Sequence, residues 1–121
     1  MMYAESHEWT RIEGDTAVIG ITDYAVEEVG DIVFVEFEDK KEVAKGDTFG
    51  ILETVKAVFD LYASVSGEII EVNSEVEENP EIIKENPFGN GWLIKITYSD
   101  EDEFDELMSA DAYKEFCRKQ E

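Results

Sequence analysis

Two strand-like runs in the middle of the chain, Thr48–Thr54 (TFGILET) and residues 58–63 (VFDLYA), are separated by only Val55, Lys56 and Ala57. A parallel pairing needs a crossover of a dozen or more residues, so runs this close pair as an antiparallel hairpin. Lys56 then stands at the hairpin tip. The rest of the chain has to supply a sheet for that hairpin to belong to.

The first half does so. Residues 8–12 alternate, Gly14-Asp15 is a turn, and Thr16–Ile21 (TAVIGI) is rich in β-branched residues. Thr22 is placed to N-cap a short helix, Asp23–Val29, that Gly30 ends. Ile32–Phe37 (IVFVEF) is the strongest strand, and period-2 alternation puts Ile32, Phe34 and Glu36 on one face and Val33, Val35 and Phe37 on the other. A charged turn at 39–41, a short run at 42–44 and a Gly46-Asp47 turn lead into the hairpin. Beyond it, Ser64-Val65-Ser66-Gly67 breaks the pattern and residues 68–73 (EIIEVN) resume it. Gly30-Asp31-Ile32-Val33-Phe34-Val35 and Gly67-Glu68-Ile69-Ile70-Glu71-Val72 also echo one another, which suggests two similar half-units with the hairpin between them.

The last third turns helical. Ser74 opens a short segment, Pro80 fits the first turn of another over Glu81–Glu85, and 86–91 (NPFGNG) is a dense turn cluster before a strand at 92–98. Ser99 with the acidic residues 100–103 predicts a capped helix to about Met108, and Ser109 caps a final helix ending near Lys119. The acidic run lacks the glycine and spaced oxygens of a calcium loop, so it reads as helix capping. The expected architecture is mainly β with short helices, one domain over residues 1–121 with a helical tail at about 100–119.

Charge narrows the partners. Ten Lys and Arg against 31 Asp and Glu give a net charge of −21, which repels phosphate backbones and anionic membranes. Such acidity serves either as a solvated surface that keeps a monomer soluble or as attraction toward partners with basic docking surfaces. The 43% of hydrophobic residues suffice for a packed core despite that charge. Cys117 is the single cysteine, so no internal disulfide forms, and it reads as an incidental thiol of the last helix. No apolar run reaches the roughly 18 residues of a membrane span, and the first residues show no signal or transit pattern. A cytoplasmic protein is expected.

Catalytic constellations are scarce. One His and one Cys leave no zinc site, and His7 is the sole candidate for a Ser–His–acid triad. There is no nucleophile elbow and no glycine-rich phosphate or dinucleotide loop. Paired carboxylates discriminate nothing in so acidic a chain. The sequence does not read as an autonomous enzyme, and Lys56 remains. By position it is either a surface charge that discourages edge association or an amine for acylation, carrying a group on a long stem between partners.

The segment from Glu53 to Asn73 (ETVKAVFDLYASVSGEIIEVN) resembles the lipoylation region of the glycine cleavage system H protein family. Four further blocks resemble that family's motifs in order and spacing: Ser6-His7-Glu8-Trp9, Gly20-Ile21-Thr22-Asp23-Tyr24-Ala25, Gly30 to Glu36, and Asn86-Pro87-Phe88-Gly89-Asn90-Gly91-Trp92. The resemblance covers nearly the whole chain. It implies a barrel-sandwich hybrid with lipoate linked covalently to Lys56. It implies that a lipoate ligase or octanoyl/lipoyl transferase recognises Glu53, three before the lysine, and Gly67, eleven after it. It further implies that the loaded arm folds into a cleft near Ser6, Glu8 and Asp60.

The partners implied by the resemblance form a relay. Glycine decarboxylase (P protein) loads an aminomethyl group onto the arm, aminomethyltransferase (T protein) takes its carbon, and dihydrolipoyl dehydrogenase (L protein) reoxidises the dithiol. An H-like carrier serving lipoyl relay or sulfur metabolism is the alternative. Biotin carriers flank their lysine with Met, whereas Val55 and Ala57 stand here, and the lipoyl domains of 2-oxoacid dehydrogenases lack the Ser6–Trp9 block. The chain departs from the family in having Ala63-Ser64 for the usual Ser-Pro, bulky Val58 and Phe59 after the lysine, Phe88 where Tyr is frequent, and a highly charged 38–42 connection. None of these touches Lys56, Glu53 or Gly67.

Overall fold

The structure, a computed structural model, describes residues 1–120. The elements run in the order β1 (Met2–Tyr3), β2 (Glu8–Glu13), β3 (Thr16–Ile21), α1 (Asp23–Val29), β4 (Ile32–Phe37), β5 (Glu42–Val43), β6 (Thr48–Thr54), β7 (Val58–Tyr62) and β8 (Gly67–Val72). Then come α2 (Ser74–Glu78), α3 (Glu81–Glu85), β9 (Ile94–Tyr98), a 3₁₀ helix (Glu101–Glu106) and α4 (Ala110–Gln120).

Two antiparallel sheets share these strands. One is six-stranded in the order β1-β2-β3-β9-β8-β5, and the other is three-stranded in the order β4-β6-β7. Alternate residues of each turn inward. Ala17, Ile19 and Ile21 of β3 with Ile94 and Ile96 of β9 meet Val35, Phe49, Leu52 and Leu61 of the smaller sheet. Val26 of α1, Val76 of α2 and Ile83 of α3 complete the core, so each short helix lends it one buried aliphatic residue. This is the mainly β barrel-sandwich arrangement that the sequence leads one to expect. Among the described residues, no helix is long and apolar enough to cross a membrane.

The differences from the sequence reading have local causes. Strict alternation fails in β4, where a bulge between Ile32 and Phe34 leaves Ile32 and Val35 both buried and Phe34 exposed. A second bulge lies between Ile69 and Glu71 of β8. These two irregularities fall at corresponding positions of the internal echo, while a third, between Thr48 and Gly50 of β6, lies outside it; the bulged residues Val33 and Ile70 are each 51% exposed on different sheets. The expected helix at 100–108 is a shorter 3₁₀ helix capped by Asp100, whose Oδ1 accepts from the Asp102 N–H at 3.0 Å. Ser99 is not the cap because its N–H and hydroxyl both bond to the Ser66 carbonyl. Strand β1 is an addition. It pairs Met2 with Thr10 and Tyr3 with Trp9, and Tyr3 also bridges to Met108, tying the segment before α4 to the sheet edge.

Tight packing holds the N-terminal hairpin in place. Trp9 is fully buried beside Gly20, where an added Cβ would lie 2.4 Å from the indole. The indole N–H donates to the Pro87 carbonyl at 2.9 Å and so anchors the 86–91 turn to β2. Residues 6–8, just ahead of Trp9, are thereby fixed beside the smaller sheet.

Candidate functional site

Strand β6 pairs with β7 from Glu53↔Val58 down to Thr48↔Tyr62, and Val55 and Lys56 form the exposed tip. Neither has a positive φ, so the loop is not one of the mirror-image turns usual for two-residue hairpins. Thr54 makes it possible. Its backbone N–H donates to the Ala57 carbonyl at 2.8 Å, while its hydroxyl oxygen accepts from the backbone N–H groups of Lys56 (3.1 Å) and Ala57 (3.2 Å). A buried threonine hydroxyl thus takes the place of a turn carbonyl and holds the lysine backbone. Sequence reading passed over Thr54, although a threonine ending a strand just before a tight loop is the available signal.

Around the lysine the outer sheet face is apolar with acid set into it. Register places Phe34, Glu53 and Val58 in one row, and Glu36, Ile51 and Asp60 in the next. Val55 is 76% and Val58 57% exposed. The Glu53 side chain therefore sits between two exposed apolar side chains, its carboxylate without a hydrogen bond or ion pair to any described residue.

Gly67 lies elsewhere, at the start of β8 in the six-stranded sheet. A Cβ there would stand 2.1 Å from the Thr97 carbonyl oxygen and 2.6 Å from the Ile96 side chain. The close approach of β8 to β9 is a packing reason for glycine that sequence alone does not supply.

Ser6, Glu8 and Asp60 are brought together. They line one cleft of about 550 Å³, walled by Val26 and Val29 of α1, Ile32, Leu52 and residues 58–62. The cleft opens beside Val58, two residues from Lys56. Glu8 is its most unusual member, a carboxyl group only 2% exposed. Ser6 donates its hydroxyl to Glu8 Oε1, and the Tyr62 backbone N–H donates to Oε2 at 3.4 Å. Burial pushes the Glu8 pKa up to about 7, with those two donors holding it back. Asp60 is exposed on β7 with the Tyr62 hydroxyl 3.5 Å from its Oδ2.

The same cleft is lined by residues that the sequence reading did not assign to it, chiefly His7, Tyr24, Glu28 and Gln120. Burial lowers the His7 pKa, opposed by a hydrogen bond with the Gln120 side chain and by the Glu28 charge. The His7 ring nitrogen Nδ1 meets the Tyr113 hydroxyl at 2.7 Å rather than the hydroxyl of a triad serine. The arrangement can hold a cationic or amine-bearing group against Glu8, Glu28 and Asp60 while apolar walls exclude water.

A β-sandwich that presents one lysine on a braced hairpin beside a sheltered acidic cleft has the architecture of a carrier domain. The comparisons narrow that class: the model of the family described as glycine cleavage H-protein matches residues 1–120, and the chain belongs to this family. It is 51% identical over 116 residues to the glycine cleavage system H protein of Staphylococcus haemolyticus, covering 95% of this chain and 92% of that one. The Halothermothrix orenii glycine cleavage system H protein is 47% identical over 122 residues, covering 100% of this chain and 95% of that one. Among solved structures, the Mycobacterium marinum glycine cleavage system H protein matches with a TM-score of 0.84 at 36% identity, covering 98% of this chain and 94% of that one.

Proposed function

We propose that the chain is the lipoyl carrier of a glycine cleavage system, with the lipoyl group in amide linkage to Lys56. The observation that carries this is the Lys56 amine itself, exposed at a tip whose backbone Thr54 fixes, in a chain of the H-protein family. The surroundings fit the group. The lysine is accessible to a modifying enzyme, the unpaired Glu53 lies on the adjoining outer face, and a partly apolar cleft begins two residues away. When attached, the lipoyl group supplies a disulfide that carries an aminomethyl group and a pair of electrons between enzymes.

The chain's own residues do the rest. Glu53 is the recognition mark for a lipoate ligase or octanoyl/lipoyl transferase, and Gly67 keeps the neighbouring strands in the shape that enzyme meets. Asp60 lies four residues from Lys56, at most about 13 Å away at strand rise, within reach of a folded-back arm. Ser6 and Glu8 then receive the amine end. An ammonium brought beside Glu8 favours the carboxylate, so a group that is half-protonated near neutrality becomes a fixed counter-charge. Valine, isoleucine and leucine walls keep water off the bound adduct.

The chain acts without catalysis of its own, as a cytoplasmic monomer. It presents the arm in turn to the P protein, the T protein and the L protein, which hold the reactive cofactors. Intact-mass and peptide analysis of protein from a lipoylation-competent cell should show the lipoyl adduct on Lys56, and Lys56→Arg should abolish it. Protein that stays unmodified beside an active ligase and donor would overturn the proposal. Lipoylated protein that fails with its cognate P protein would point to another lipoyl-dependent pathway.

A further inference from the structure

His7 is the only non-glycine residue among those described with a left-handed backbone, at φ 73°. A histidine holds that disfavoured conformation only where its surroundings impose it. Here they do so from several sides. The His7 N–H donates to the Ala4 carbonyl and the Thr22 N–H donates to the His7 carbonyl, both at 3.0 Å. The ring nitrogen Nδ1 is 2.7 Å from the Tyr113 hydroxyl, which is itself 2.6 Å from Thr22 Oγ1. Thr22 therefore grips His7 twice, directly at the backbone and through Tyr113 at the ring. Tyr24 and Phe116 flank the imidazole at 5.1 and 5.9 Å between centroids, and Gln120 hydrogen-bonds it.

Three of these partners, Tyr113, Phe116 and Gln120, belong to α4. That helix sits far from Lys56 in sequence. Yet His7 and Gln120 both line the cleft, and the residues on either side of His7 are Ser6 and Glu8. The turn at His7 sets where the Ser6 hydroxyl stands relative to the Glu8 carboxyl group. We propose that His7 is a positioning residue, which transmits the grip of Tyr113 to the Ser6–Glu8 pair and makes the C-terminal helix a working wall of the arm-sheltering cleft. This rests on the cleft reading given under the proposed function, and the histidine acts through its neighbours rather than by touching the cargo.

Two measurements on the full-length protein test it. In the unloaded protein, ¹³C NMR follows the Glu8 carboxyl titration. In lipoylated protein loaded with glycine by a P protein, release of ammonia in buffer reports how well the adduct is sheltered. Tyr113→Phe removes the hydroxyl that grips the ring and keeps the aromatic packing. It should move the Glu8 titration toward the ordinary glutamate range by about half a unit or more, because the cleft admits water. It should also speed adduct loss about fivefold, the worth of roughly one net hydrogen bond. His7→Leu should do the same. His7→Asn keeps a polar atom near Nδ1 and tolerates the left-handed backbone, and it should restore most of the shelter. Lys114→Ala on the exposed side of α4 should change neither reading.

If Tyr113→Phe and His7→Leu lower thermal stability but leave both the Glu8 titration and the adduct lifetime at wild-type values, His7 is merely structural and the inference fails. The cleft reading fails separately. Its sign is Glu8→Gln releasing the adduct no faster than wild type, and the titration arm in unloaded protein then still decides the positioning role by itself.

Discussion

Glu8 is enclosed by Ser6 on one side and the Tyr62 backbone on the other, so its protonation is coupled to folding. Its folded-state pKa, about 7, lies above the ordinary glutamate value, so the folded chain holds this proton more tightly than the unfolded chain does. The stability that Glu8 contributes is fully present below the ordinary value and is lost as pH rises through about 7. Glu8→Gln keeps the shape and cannot ionise. In urea titrations it should be more stable than wild type at pH 8 than at pH 5 by on the order of 2 kcal/mol. A gap that does not widen with pH would mean that Glu8 is not buried as described. Gly67 gives a second residue-scale outcome, since a methyl group there meets the Thr97 carbonyl oxygen at 2.1 Å. Gly67→Ala should cost roughly 3 kcal/mol, seen as a lowered urea midpoint, and should do so whether or not Lys56 is modified. Of the site, the position of Lys56 was legible in the spacing of the two strand runs, and its chemistry only in the family blocks. The buried state of Glu8 was not legible. Beside Trp9 in an alternating run, nothing in sequence says which of two faces a turn like that at His7 will close over.

At the scale of elements, the strand runs β3, β4, β6 and β7 appear where the sequence puts them, with burial and the Thr54 turn setting the pairing and β4 departing from alternation at its bulge. What escaped depends on partners distant in sequence. Strand β1 has two residues and exists because β2 and Met108 offer free edges to it. The bulges of β4 and β8 are set by pairing with β6 and β9, and no residue in Ile32-Val33-Phe34 announces one. The 3₁₀ helix is the clearest case. Its acidic sequence reads as an N-terminal helix turn, yet its anchor is Glu103, which accepts from the Ser66 N–H at 2.7 Å and from the Ser66 hydroxyl at 2.6 Å. Phe104 adds an edge-on contact with Tyr98 at 5.0 Å. One carboxylate therefore clasps this helix to the corner between β7 and β8, next to Gly67. Glu103→Ala should cost about 2 kcal/mol, as loss of two charge-assisted bonds to the half-buried Ser66. Hydrogen exchange should quicken at the Ser66 amide, while the Ala57 and Thr54 amides of the hairpin keep their protection. Equal loss at both places would show that the element unfolds with the whole molecule.

Across the whole molecule a charge of −21 surrounds a single productive lysine, so every encounter has to bring a partner to one face. Acid is present at that face in Glu36, Glu53 and Asp60 of the smaller sheet, and away from it in the acidic 3₁₀ helix that packs on Tyr98 of the other sheet. At physiological salt a charge is felt over about 8 Å, so the acid at the hairpin face dominates for a partner docking there; at about 0.01 M the range is roughly 30 Å and more distant acid contributes as well. This separates steering from docking. Neutralising Asp100, Glu101 and Asp102 together should slow association of the lipoylated protein with its P protein at low salt and leave it nearly unchanged at 150 mM. Neutralising Glu36 should slow it at both. Asp102 contributes only its backbone to the 3₁₀ cap, so the triple variant should include Asp100→Asn, which still accepts the capping hydrogen bond. In stopped-flow measurements the wild-type association rate should fall about tenfold or more between low and physiological salt while dissociation changes little, because charge acts on approach more than on the formed contact. An association rate indifferent to salt would mean that the acidity serves solubility alone and that docking depends on the exposed Phe34, Val55 and Val58 around Lys56.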